Sequence, residues 1–174
     1  MKNFFCPVLL FILLPVLAFS QTHFEKFDFL IGDWQGVETG VSGDGIGFRT
    51  YSYELGKNYI TERNQSTFPK TEKRPKGEVH RDFGVISYNS NKNEIVYRSF
   101  NVEGFTNIFV LDSTVSTKDK FVFITREIEN NPGDWKARVI IEKKSETEFV
   151  ESFDIATDGK NFTPFLKNHW HKVK

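Results

Sequence analysis

The sequence predicts an all-β fold: a single up-and-down antiparallel barrel of about ten strands, with a short helix at its start and an export signal ahead of it. Three observations lead there. Segments rich in Val, Ile, Phe, Tyr and Thr, each about seven to nine residues long, recur along the chain. Turn-forming clusters separate them at near-regular intervals. Residues 1–20 have the make-up of a leader.

In the leader, a basic start (Lys2) precedes an apolar stretch over 8–17, and a polar exit follows near Ala18, Phe19, Ser20 and Gln21. The run is short and interrupted by Pro7 and Pro15, whereas a membrane span needs about 20 apolar residues. The expectation is a signal peptide over 1–20, cleaved after Ser20, and a mature domain over 21–174 with no membrane span, secreted or periplasmic. The single cysteine, Cys6, lies in the leader. The mature domain would have no thiol chemistry and no disulfide, so packing and strand pairing must stabilise it. Charge is balanced, with 23 Lys+Arg against 23 Asp+Glu, which argues against a nucleic-acid partner or an anionic membrane surface.

Phe24, Phe27, Leu30 and Ile31 recur at helical spacing and predict one or two helical turns ending at Gly32. Strands are then expected over 35–41, 46–54, 58–66, 82–88, 94–100, 105–111, 120–128, 135–142, 147–154 and 165–173. The breaks fall at Gly43-Asp44-Gly45, Gly56-Lys57-Asn58, 89–93, Glu103-Gly104, Lys118-Asp119, 131–134 and Asp158-Gly159-Lys160, all residues with turn chemistry. Residues 68–79, with Pro69 and Pro75, depart from this rhythm and predict a long loop over an opening. Its basic residues are interrupted by Glu72 and Glu78, as on a solvated loop. Closing so many short strands into a barrel removes unpaired edges and leaves room for a small ligand.

The stretch 27–36, with Gly32-Asp33-Trp34 at its centre, resembles the entry motif of calycin-type barrels, which include lipocalins, fatty-acid-binding proteins and nitrobindins. With 56–62 and the Asp158-Gly159-Lys160 ending, the chain most resembles an exported bacterial family of lipocalin-like barrels. Gly32 would turn the chain sharply out of the helix, and Trp34 would plug the narrow end. The resemblance implies a basic side chain of the last strand over Trp34, with Lys167 and Lys172 as candidates. It also implies that a late histidine could hold haem, as in nitrobindins.

Alternate residues of a barrel strand face inward, so a charged residue with apolar neighbours at both i−2 and i+2 is a candidate for the interior. Arg98, between Val96 and Phe100, Arg126, between Ile124 and Ile128, and Glu151, between Phe149 and Phe153, meet that test; Glu62, after Ile60, meets it in part. Trp135, Ala137, Val139 and Ile141 form an apolar wall on one face of their strand. Buried ions must pair with one another or meet a charged ligand. The expected ligand-binding set is Glu62, Arg98, Arg126 and Glu151, with the arginines on a carboxylate and phenyl rings around an apolar tail. An internal salt-bridge network is the competing reading. The domain is read as a monomer or weak homodimer that binds a small hydrophobic or amphipathic molecule.

His169 and His171 share a strand face, which makes haem or metal binding the alternative, although Lys167 places that face outward. The sequence has no nucleophile elbow, phosphate loop or zinc-protease motif, so no catalytic residue is assigned. Glu62 and Glu151 as acid and base of an isomerase or cyclase, and a structural envelope module, are the remaining readings.

Overall fold

The computed structural model describes residues 23–41, 43–72, 74–131 and 133–173; the expected signal peptide lies outside them. A 3₁₀ turn, Glu25–Leu30, leads into ten strands: β1 Gly32–Gly40, β2 Gly45–Glu54, β3 Tyr59–Phe68, β4 Glu78–Asn89, β5 Glu94–Asn101, β6 Thr106–Leu111, β7 Lys120–Glu129, β8 Lys136–Ser145, β9 Glu148–Ala156 and β10 Thr163–Lys172. Each strand pairs antiparallel with its neighbours in sequence, and β10 returns to β1, with Trp34 opposite Lys172 and Gly40 opposite Leu166. The described residues therefore form an all-β, closed, ten-stranded barrel with almost no helix. Among the described residues, no helix is long and apolar enough to cross a membrane.

The alternation read from the sequence locates nearly every strand, and the largest departure is at β3 and β4. Their ladder extends to Phe68 opposite Glu78, so Thr67, Phe68, Val79 and His80 are paired backbone and the connection shrinks to 69–77. The inner face there carries Asn64, Ser66, His80 and Asp82. With no apolar alternation to read, pairing in this stretch has no hydrophobic signature.

The interior divides along the barrel axis. One end is solid: Phe27 and Leu30 of the 3₁₀ turn pack with Trp34, Tyr51, Ile60, Phe121, Phe123 and Phe149, all buried. Trp34 closes this end. Its Nε1 donates to the Leu30 carbonyl at 2.6 Å, and its ring meets Phe149 edge-on at 4.6 Å. Lys172, not Lys167, lies over the indole, with Nζ 5.1 Å from the ring centre and donating to the Phe29 carbonyl at 3.2 Å. Gly32 has φ 126°, a conformation in which a side chain is strained, and a Cβ there would stand 3.0 Å from Lys172 Cε. The other end is hollow.

Candidate functional site

The hollow end holds a cavity of about 480 Å³. Phe68 at the end of β3 and Glu78 at the start of β4, between which the expected loop runs, are both in its lining. The lining is two-sided. β1 to β6 contribute polar groups, among them Glu38, Arg49, Glu62, Asn64, Ser66 and Asp82, whereas Ala137, Val139, Phe153, Ile155 and Leu166 of β8 to β10 supply an apolar wall. Trp135 stands at the rim, 40% exposed. The alternation of 135–141 predicts the β8 part of this wall, Ala137 and Val139, whereas Ile141 packs in the hydrophobic core and not in the cavity lining.

At the inner end of the polar side lies a buried ion cluster centred on Arg49 of β2. Its Nη1 contacts Glu151 Oε2 at 2.5 Å and Tyr51 Oη at 3.2 Å. Its Nε lies 3.2 Å from Glu62 Oε1 and donates to Asn64 Oδ1 at 3.1 Å. The Tyr97 hydroxyl donates to Glu62 Oε2 at 2.7 Å, and Asn168 Nδ2 donates to Glu151 Oε1 at 3.3 Å. Both carboxylates the sequence placed inside thus come together on one guanidinium. Desolvation opposes the charge of Arg49, but Glu151 and then Glu62 more than offset it, so the group is held firmly protonated. Burial pushes the Glu62 carboxyl up, Arg49 pulls it back, and Glu151 raises it again. Glu38, which accepts from the Ser66 hydroxyl, is likewise raised by burial.

Local sequence explains the position of Arg49. Gly36 and Gly47 leave a slot that Trp170 fills: a Cβ would fall 2.6 Å from Trp170 Cε3 at the first and 2.6 Å from Trp170 Cη2 at the second. The guanidinium carbon then lies 4.4 Å from the centre of that indole, a stacked cation held from one side by the ring and from the other by carboxylates.

Arg98 and Arg126 are corrections to the sequence reading, because both are on the outer wall. In β5 the inward set is Ile95, Tyr97, Ser99 and Asn101; Arg98 donates from the opposite face to Ser87 Oγ at 2.9 Å. Val96 and Phe100 voted for burial from a face that is apolar without facing the cavity. In β7 the register shifts opposite Ile108 and Phe109, which pair with Glu127 and Thr125. Arg126 is the extra residue of this bulge and pairs outside with Glu94 at 2.5 Å. The bulge leaves Thr125 buried, with its hydroxyl accepting from the Ala137 amide, and puts Ile128 in the cavity lining, so parity counted across it fails. A carboxylate clamp from these two arginines is not formed.

Sequence reasoning also missed Arg49, since its i−2 neighbour is Gly47, which has no side chain to vote with. The available signal was the repeat of glycines at alternate positions, Gly45 and Gly47, which marks a wide neighbour on that face.

His80 sits at the mouth, with Nε2 2.9 Å from Asp82 Oδ1 and Nδ1 2.9 Å from Glu103 Oε1. The hydrogen bond to Asp82 raises its pKa to about 9 against some opposing desolvation, with the Asp82 and Glu103 charges adding to the rise. Glu78, His80 and Glu103 bring ligand atoms within 4.8 Å of one another, a spacing that suits a metal. With both ring nitrogens directed at carboxylates, however, the imidazole is set up to hold a proton. His169 and His171 are exposed on the outer face of β10, on either side of the inward Trp170. A haem in the cavity needs an inward imidazole, and this pair does not supply one.

No family model matches the sequence, and no curated protein matches it. Among solved structures, the crystal structure of Rv2717c from M. tuberculosis is similar with a TM-score of 0.63 at 17% identity, covering 87% of this chain and 97% of that one. A structure of EF1p2_mFAP2b bound to DFHBI is similar with a TM-score of 0.43 at 14% identity, covering 85% of this chain and 97% of that one. The likeness to Rv2717c is one of fold, a closed ten-stranded antiparallel barrel.

Proposed function

We propose that this chain binds a small amphipathic molecule inside the open half of its barrel. The observation that carries the reading is the two-sided cavity of about 480 Å³, in which an apolar wall on β8 to β10 faces polar side chains of β1 to β6 and the floor adds Glu151 and Asn168. That volume is in the range of small-molecule sites, and the combination of apolar walls with a few convergent polar groups is how such sites orient a ligand. The aromatic rings fill the opposite end, so the hollow is not an accident of a loose core. The same reading takes the protein as exported by its leader to the periplasm or the medium.

Uptake of N-phenyl-1-naphthylamine, a neutral dye that brightens in apolar surroundings, tests the proposal. The expected result is saturable one-site binding. Ala137→Trp, which places an indole in the cavity, abolishes it, and Arg98→Ala on the outer wall leaves it unchanged. Binding that survives Ala137→Trp in a folded protein, or no binding at all, would overturn the proposal.

A further inference from the structure

Around the inner end of the cavity, three buried carboxylates, Glu38, Glu62 and Glu151, face one buried guanidinium. Arg49 is engaged by Glu62 and Glu151, whereas Glu38 is met by the neutral Ser66 hydroxyl. The charge of His80 does not redress this imbalance, because Asp82 and Glu103 already take it up at the rim. An independent observation points the same way. Asn168 is 2% exposed and lines the cavity; its Nδ2 donates to Glu151, and its Oδ1 has no hydrogen-bond donor. A buried acceptor without a donor is unfavourable, and here it stands beside surplus negative charge.

Resting on the ligand-binding reading above, we infer that the polar floor of the cavity takes a protonated primary amine carried on an apolar body. An ammonium group brings three N–H donors, no acceptor and one positive charge, which matches an unpaired amide oxygen next to a carboxylate that lacks a cation. A carboxylate ligand brings only acceptors and a like charge. An alcohol brings one donor and no charge. The apolar body lies against Val139, Phe153, Ile155 and Leu166, with the amine toward Glu38 and Asn168.

Competition with N-phenyl-1-naphthylamine on the purified full chain, using three ligands that share an indole body, separates these cases: tryptamine, tryptophol and indole-3-propionate at pH 7. Tryptamine is expected to bind at least tenfold tighter than tryptophol, with indole-3-propionate weakest. Glu38→Gln, which keeps an acceptor for Ser66, is expected to reduce the advantage of tryptamine over tryptophol at least threefold. Equal binding of tryptamine and tryptophol, tightest binding of indole-3-propionate, or an unchanged ratio in folded Glu38→Gln would overturn the inference. The wild-type ranking alone decides it if that variant does not fold. Dye uptake with displacement by all three ligands alike sinks the amine and leaves the cavity reading standing; absence of dye uptake sinks both.

Discussion

Replacing Arg49 with methionine keeps most of the side-chain volume and removes the charge that Glu62 and Glu151 share. At contacts of 2.5 and 3.2 Å and an effective dielectric constant of about 20, each attraction is worth roughly 5–7 kcal/mol before desolvation is subtracted. Desolvation of the buried ions cancels much of that, so the intact cluster contributes little net stability. Removing its one cation is different, because it leaves two carboxylates buried and facing each other, at a cost of about 3–5 kcal/mol. In a domain of this size that corresponds to a fall in Tm on the order of 10 °C. Urea denaturation followed by tryptophan fluorescence reads the difference directly. Burial already raises the Glu62 carboxyl and loss of Arg49 removes the charge that pulls it back, so the variant regains stability as pH falls from 7 through that raised value, and the deficit against wild type shrinks. Adding Glu62→Gln and Glu151→Gln to Arg49→Met removes the uncompensated charge and should recover more than half of the loss. A deficit below about 1 kcal/mol at pH 7, or no recovery in the triple variant, would refute the account of the cluster as a mutually dependent unit.

Three further outcomes are expected. Trp34→Ala should cost about 3–5 kcal/mol by opening a cavity at the solid end, while Lys172→Met should cost only about 1 kcal/mol; calorimetric melts check both, and equal losses would contradict the plug-and-cover arrangement. Gly47→Ala forces a methyl group to within 2.6 Å of Trp170 Cη2, so a destabilisation of about 1–3 kcal/mol is expected from overpacking, and a neutral melting curve would show that the slot has slack. His80 is raised in the folded state from 6.5 to about 9, so its stabilising contribution is fully present below pH 6.5 and is lost as pH rises through 9. The stability gap between wild type and His80→Gln from denaturant titrations, about 1 kcal/mol at pH 6 after allowance for partial exposure, should therefore close by pH 10; a constant gap would argue against a protonated His80 held by Asp82 and Glu103.

The strand order was legible because alternating Val, Ile, Phe and Tyr with intervening turns leave few other ways to bury one face. The Trp34 plug was legible for a related reason: the glycine, helical turn and indole form a local unit. The site was only half legible. Glu151, between Phe149 and Phe153, declares itself, and Glu62 does so in part through Ile60. Arg49 does not, because what makes room for it is the absence of side chains at Gly36 and Gly47 and the bulk of Trp170 from the far end of the chain. Arg126 misled for the opposite reason, since a one-residue bulge on β7 exchanges inside and outside between Thr125 and Ile128. Parity is a local rule, and pairing partners supply the correction that no single strand contains.

The seam between β1 and β10 ties together residues as far apart as Trp34 and Lys172, 138 positions along the chain. A nascent or partly threaded polypeptide has no means of shutting the cylinder until β10 is free to pair with β1. Every earlier state is an open, curved ribbon with two bare margins, exposed to strand exchange with other copies. Completion comes late and all at once, so losing β10 would forfeit the whole enclosure and not merely one tenth of it, and slow, cooperative folding is the kinetic signature of such a design.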